Sequence, residues 1–306
     1  MNLEPINQSN LYAFYDEFSQ LIQLHKENKL PNKILFSGQK GIGKCTFAYH
    51  LINYVLSLGE ENIYDLKNFK INTENRHFKL NLNKSNPNII LIDIANDKKN
   101  IDINQIRDLI NNLNKSSLNS KERFVLIDNI EYLSLSSINA LLKIIEEPSL
   151  GIYFILINNN KNILPTLTSR CIKFNLSLSH LETISISEKL IDGNINNLIN
   201  KDLIDYYSTP GKIYNLLKFS NENEVDLTKT NLKDLINIII NKNLYKKETP
   251  LKYFIYDYVE LFLSRNIKLT SKDFWDNFID QINKTKKFNL DEESLFLKLK
   301  SEILNG

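Results

Sequence analysis

The residues best placed to do chemistry lie at positions 38–46, Gly-Gln-Lys-Gly-Ile-Gly-Lys-Cys-Thr, directly after a short apolar run. The pattern G-x-x-x-x-G-K-[ST] uses glycines so that consecutive backbone N–H groups can wrap phosphate oxygens. Its lysine reaches the outer phosphates and its hydroxyl ligates Mg²⁺. Gly38, Gly43 and Lys44 stand at the required spacing, and Gly41 adds freedom between them. A helix starting at the loop would add its own favourable field for anions. Cys45 is the departure, because it replaces the expected hydroxyl with a soft thiol that suits Mg²⁺ poorly. Thr46 comes one position late. Two readings stay open: a loop that still binds nucleotide phosphate, or a glycine-rich turn that no longer does.

A second candidate is Phe124-Val-Leu-Ile-Asp128, an apolar strand ending in an acid. In phosphate-loop enzymes a strand-end Asp holds Mg²⁺ through water, and an adjacent acid polarises the attacking water. Asp128 fits the first role, or is simply a turn residue at a strand end. Asn129 stands in the second position and cannot act as a base, and Glu131 is two residues further on. Cys45 and Asn129 independently point to weak or absent hydrolysis.

The elements that must position these residues alternate. Lys33–Phe36, Ile89–Ile94, Phe124–Ile127 and Tyr153–Ile157 read as strands buried on both faces of a parallel sheet, with Cys171–Phe174 as a weaker fifth. Helical patterns over Thr46–Leu58, Asp102–Leu113 (capped by Asp102) and Ser136–Glu147 (stopped by Pro148) separate them. This alternation predicts an α/β domain with right-handed crossovers. After Phe174 the strand signal ends. His180–Ile191, Ile195–Tyr207 and Pro210–Phe219 read as short helices, Ser220–Thr230 as a linker, and Leu232–Leu304 as longer amphipathic helices including Pro250–Ser264 and Ser271–Lys284. Gly59–Pro87 is polar and aperiodic and reads as a surface excursion.

The bulk numbers narrow the class. At 306 residues the chain exceeds what one core organises. With a net charge of +2 the chain is not strongly basic, so any contact with nucleic acid is through a local patch or as one member of an assembly. Two separated cysteines exclude a disulfide scaffold and a four-cysteine zinc module. Absence of a signal pattern and of a long apolar run leads to the expectation of a cytoplasmic protein with no membrane contact.

Three further stretches carry a resemblance. Asn139-Ala-Leu-Leu-Lys-Ile-Ile-Glu146-Glu147-Pro148, Leu164-Pro-Thr-Leu-Thr-Ser169-Arg170-Cys171, and Asn86-Pro-Asn followed by Ile101-Asp-Ile-Asn-Gln-Ile-Arg107 occur in the order and spacing of bacterial clamp-loader subunits of the AAA+ class. The chain resembles that family over about residues 20–175. Of its DNA polymerase III subunit types, it is most similar to the delta-prime type, with the ATP-hydrolysing gamma/tau type as the alternative and another AAA+ DNA-remodelling ATPase as a third. The resemblance implies an AAA+ domain over 1–176, a small helical lid over 177–220 and a helical collar for oligomerisation over 221–306. It implies that Arg170 reaches, as an arginine finger, into a neighbouring subunit's ATP site, and that Asn158 is a polar sensor near the γ-phosphate. Asn158 could equally be an ordinary loop asparagine, and Lys212, at the place of a lid sensor, reads better as an exposed helix lysine. The implied partners are gamma/tau- and delta-type subunits, met through the collar and Arg170, and, through the assembly, the sliding clamp and primed DNA. The start of the Asp102 helix is a candidate for DNA phosphate contact. ATP with Mg²⁺, the metal held by Asp128 through water, is the implied cofactor. Because Gly59–Pro87 has no cysteine, no zinc is expected.

Overall fold

The computed structural model describes residues 3–95, 98, 100–114, 121–147, 149–244, 249–265, 280–282, 284 and 292–301. They form two compact units, Met1–Leu178 and Ser179–Gly306.

In the first unit the apolar runs pair into one sheet. Strands β1 (Lys33–Ser37), β2 (Ile89–Ile92), β3 (Arg123–Ile127), β4 (Ile152–Asn158) and β5 (Ile172–Asn175) lie in the order β2-β3-β4-β1-β5, every pair parallel. The three inner strands are buried on both faces, as their continuous apolar runs require. β2 departs from the sequence expectation. It stops at Ile92, and Leu91 is exposed; β2 is an edge, with β3 as its one partner among the described residues. β1 lies between β4 and β5, so the chain leaves β1, builds β2 to β4 on one side and crosses back to β5. That reversal opens a crevice at the carboxyl ends of the strands.

Helix α2 (Lys44–Ser57) follows β1 and is buried on nearly every side. Helix α1 (Tyr15–Lys26), which has no counterpart in the sequence reading, covers it. Phe47 is the hub of this face: its ring centroid is 4.8 Å from Phe36, 5.8 Å from Phe14 and 5.9 Å from Phe18. Gly59–Pro87 is not a bare surface excursion. It contains helix α3 (Arg76–Leu82) and inserts Tyr64, Ile71 and Phe78 into the same core. Its polar residues turn inward in a network. Asn75 caps α3 and holds Asn53 and Glu60, and Glu60 also receives Lys121 at 2.8 Å and faces His77 at 3.2 Å. Such pairings join residues far apart in sequence and leave no periodic signal. The opposite face of the sheet is packed by α4 (Ile103–Leu113) and α5 (Leu135–Glu146).

The second unit is helical: α7 (His180–Ile191), α8 (Pro210–Asn223), α9 (Leu232–Asn241), α10 (Thr249–Arg265) and a last helix, Glu292–Leu299, while α6 (Pro165–Thr168) belongs to the first unit. Two expectations are corrected here. Ile195–Tyr207 is not a helix but two 3₁₀ turns, Ile195–Asn197 and Lys201–Leu203. Asn194 and Asn200 each bond the backbone N–H two residues on, which favours turns over helix. Ser220–Thr230 is not a free linker either. α8 runs on to Asn223, and Val225 and Leu227 are buried. One hydrophobic cluster extends from Ile195 to Leu299, through both the expected lid and the expected collar. The helix expected over Ser271–Lys284 lies almost wholly outside the described residues. Among the described residues, no helix is long and apolar enough to cross a membrane.

Candidate functional site

The loop after β1 has the backbone that its glycines suggest. Gly41 and Gly43 have φ of 86° and 96°, in the left-handed region where side chains are strained. Gly43 is the N-cap of α2. Gly38 is needed for a different reason: a Cβ there would lie 2.2 Å from the carbonyl oxygen of Leu176. Lys44 is 4% exposed. Its Nζ donates to the carbonyls of Gly38 at 2.8 Å and Gln39 at 2.6 Å, and to Asn159 Oδ1 at 2.9 Å. Burial pulls its pKa down to about 8, against the opposing pull of Asp128 and Glu131. Thr46 is half-buried on the first turn of α2.

Asp128 stands at the end of β3, beside Cys45. Burial, reinforced by the Asp93 charge, pushes its carboxyl up to about 6, while the Asn129 N–H at 2.7 Å partly offsets this. Burial also raises the Cys45 thiol well above its usual range, and that thiol is hydrogen-bonded to Asp128. Where a magnesium ion would need a hydroxyl oxygen, the chain supplies a protonated thiol, a soft and poor ligand for it. Cys45 does not fit the hydroxyl position in the hydrated-magnesium site of a hydrolytic phosphate loop.

The raised carboxyl has a consequence for stability. The unfolded Asp128 ionises near 3.8, the folded one near 6. Between those values the folded state holds the extra proton, so this group's contribution falls as pH rises and the cost is complete above pH 6. Asp128→Asn keeps an acceptor and removes the charge. Urea unfolding should find the variant more stable than the wild type at pH 7.5, by on the order of 2 kcal/mol, with the difference vanishing near pH 4. An equal gap at both pH values would exclude the charge as its cause.

The ends of three strands are tied together. Lys44 reaches Asn159; Asn159 Nδ2 donates to Asn129 Oδ1 and Glu131 Oε1, both at 2.8 Å; Asn129 Nδ2 donates to Asp93 at 2.7 Å. Asn158, the residue expected as the polar sensor, is placed otherwise. Its side chain closes the next turn, donating to the Lys161 carbonyl at 3.0 Å and accepting from the Lys161 N–H at 3.2 Å, while its own carbonyl receives the Gly38 N–H. Asn159 is the neighbour of the loop lysine. Three consecutive asparagines gave no sequence signal to choose among them.

Arg170 lies away from this network, between α6 and β5. Its Nε and one terminal nitrogen both donate to Glu146 Oε1, at 3.1 and 2.6 Å, and the other terminal nitrogen donates to the Thr166 carbonyl at 2.8 Å. Cys171 packs on the core beneath, and burial lifts its thiol to about 11. Lys212 pairs with Asp257 of α10 at 3.2 Å. At the start of α4, the Asn104 and Gln105 amides offered as a phosphate contact are taken by the Asp102 side chain, itself paired with Lys98.

Comparison with known proteins places this geometry in context. The family described as "DNA polymerase III, delta subunit" matches residues 15–180. A DNA polymerase III subunit delta' of Buchnera aphidicola subsp. Baizongia pistaciae is 33% identical over 178 residues, 55% of this chain and 50% of that protein. This chain therefore spans about half the length of that relative. Its counterpart in Buchnera aphidicola subsp. Schizaphis graminum is 26% identical over 277 residues, 84% of this chain and 79% of that one. Among solved structures, a DNA polymerase III gamma subunit-related protein of Thermotoga maritima aligns with a TM-score of 0.39 and 18% identity, covering 86% of this chain and 77% of that one.

Proposed function

The chain belongs to the DNA polymerase III delta subunit family, whose members are clamp-loader AAA+ proteins, and from that premise we propose that it serves as a delta-prime-type subunit. In this role it completes the ring that loads a sliding clamp onto primed DNA. It presents Arg170 to the ATP bound by a neighbouring gamma/tau-type subunit and hydrolyses little ATP itself. The division of its second unit into a lid over 177–220 and an oligomerising collar over 221–306 is part of the same proposal.

One observation carries this reading. The chain's own phosphate loop has glycines and a lysine suited to phosphate, yet Cys45 and Asn129 deprive it of a hydroxyl ligand for magnesium and of a base. A phosphate would replace the Gly38 and Gln39 carbonyls as the partner of Lys44, and the backbone N–H groups around Gly41 and Gly43 would receive it. The loop thus supports nucleotide binding without competent hydrolysis. Arg170, on its own short helix-strand junction, remains presentable to another subunit.

The test is made on the isolated chain. A fluorescent ATP analogue should bind, and binding should weaken on Lys44→Ala. Phosphate release with Mg²⁺ should stay at background. Magnesium-dependent turnover that Lys44→Ala abolishes would make the chain a motor subunit of the gamma/tau type and end this reading.

A further inference from the structure

We infer that Glu146 is the positioning residue for Arg170, holding its guanidinium in the orientation it presents to a neighbour's nucleotide. This rests on the role proposed above for Arg170 and goes beyond it, by naming what aims the arginine.

Two stretches 24 residues apart meet at this contact. Glu146 ends α5 and Arg170 follows α6. An arginine has five N–H donors in a planar fork. Three are engaged among the described residues: Nε and one terminal nitrogen on a single carboxylate oxygen, and the other terminal nitrogen on the Thr166 carbonyl. One N–H on each terminal nitrogen is left over. An N–H on each of the two terminal nitrogens gives the fork two donors for phosphate oxygens. Charge-assisted bonds to Nε and one terminal nitrogen, with a backbone carbonyl at the other, fix the rotation of the fork.

Stability does not explain the contact. Glu146 is 52% exposed and Arg170 34% exposed, and ion pairs so open to solvent add little to folding. What the pair does supply is order in a long side chain that would otherwise sample many rotamers, with the loss taken in the resting subunit instead of at the encounter. α5 anchors the carboxylate firmly. Leu141 and Ile145 are buried in the core five residues and one residue before Glu146.

The experiment uses the full chain reconstituted with its partner subunits. ATP turnover stimulated by clamp and primed DNA is measured for wild type, Arg170→Ala, Glu146→Ala, Glu146→Asp and the Glu146→Ala/Arg170→Ala pair. Glu146→Ala should lower kcat about tenfold at the site Arg170 serves, with KM for ATP little changed. Glu146→Asp should recover part of the loss. Adding Glu146→Ala to Arg170→Ala should change nothing further, because the glutamate acts only through the arginine. Thermal melting of the Glu146→Ala chain should match the wild type, which separates positioning from folding. Full turnover in Glu146→Ala, alongside reduced turnover in Arg170→Ala, would overturn the positioning role alone. Unchanged turnover in Arg170→Ala would remove the arginine from the mechanism and the glutamate with it.

Discussion

Replacing Arg170 by alanine is expected to leave the assembly intact by size-exclusion chromatography and to suppress ATP turnover at the site the arginine faces by roughly a thousandfold or more. The magnitude follows from what a guanidinium does in phosphoryl transfer. Charge accumulates on the equatorial oxygens of the transferring group, and a cation delivered from outside the site neutralises it only in the transition state. Turnover of the whole ring falls by that site's share of the total. Arg170→Lys keeps the charge and loses the fork, so it should restore little. The fold should not register the change: the Glu146 pair is partly exposed, and its loss moves stability by less than about 1 kcal/mol. Clamp- and DNA-stimulated phosphate release is the measurement, and a wild-type rate from the Arg170→Ala ring would take Arg170 out of the mechanism.

The largest expected effect on folding comes from Phe47→Ala. Phe47 is fully buried on α2 and packs edge-on against Phe36, Phe14 and Phe18, joining β1 and the α1 side of the core. Truncation removes the ring's transfer energy and leaves a cavity whose walls belong to a sheet and two helices. Such walls collapse poorly, so the loss should reach about 3–5 kcal/mol. For a unit of this size that is a fall in Tm on the order of 10 °C. The ring also seats α2, whose N-cap Gly43 belongs to the phosphate loop, so nucleotide-analogue binding should weaken along with stability. Phe47→Leu, closer in volume, should cost far less. A loss under 1 kcal/mol in urea unfolding of Phe47→Ala would mean that the aromatic hub is not what seats the loop.

Both variants bear on features that differ in how visible they are in sequence. Phe47 and the loop before it belong to a local pattern: glycines at fixed offsets, an apolar strand ahead, an amphipathic run behind. Such patterns survive reading one residue at a time, and the strands β1, β3 and β4 appeared within a residue or so of their ends. The edge character of β2 did not, because whether a strand is flanked depends on which strands the crossovers bring beside it. The inward-facing Asn75, His77 and Asn86 of the Gly59–Pro87 segment were equally hidden, since polar residues signal solvent until a partner is found.

The site divides the same way. Sequence alone determined the loop's identity and its defects, because residue type at a fixed spacing is enough to say that a thiol replaces a hydroxyl at Cys45 and an amide replaces an acid at Asn129. It also singled out Arg170. Only the tertiary structure decided that Asn159 and not Asn158 reaches Lys44, that Asp128 is half-buried beside Asp93 and Cys45, and that Glu146 grips Arg170. The physical reason is common to all three. A hydrogen bond or a desolvated charge is a property of two groups at a distance, and strand register and helix packing set that distance between residues the chain keeps far apart.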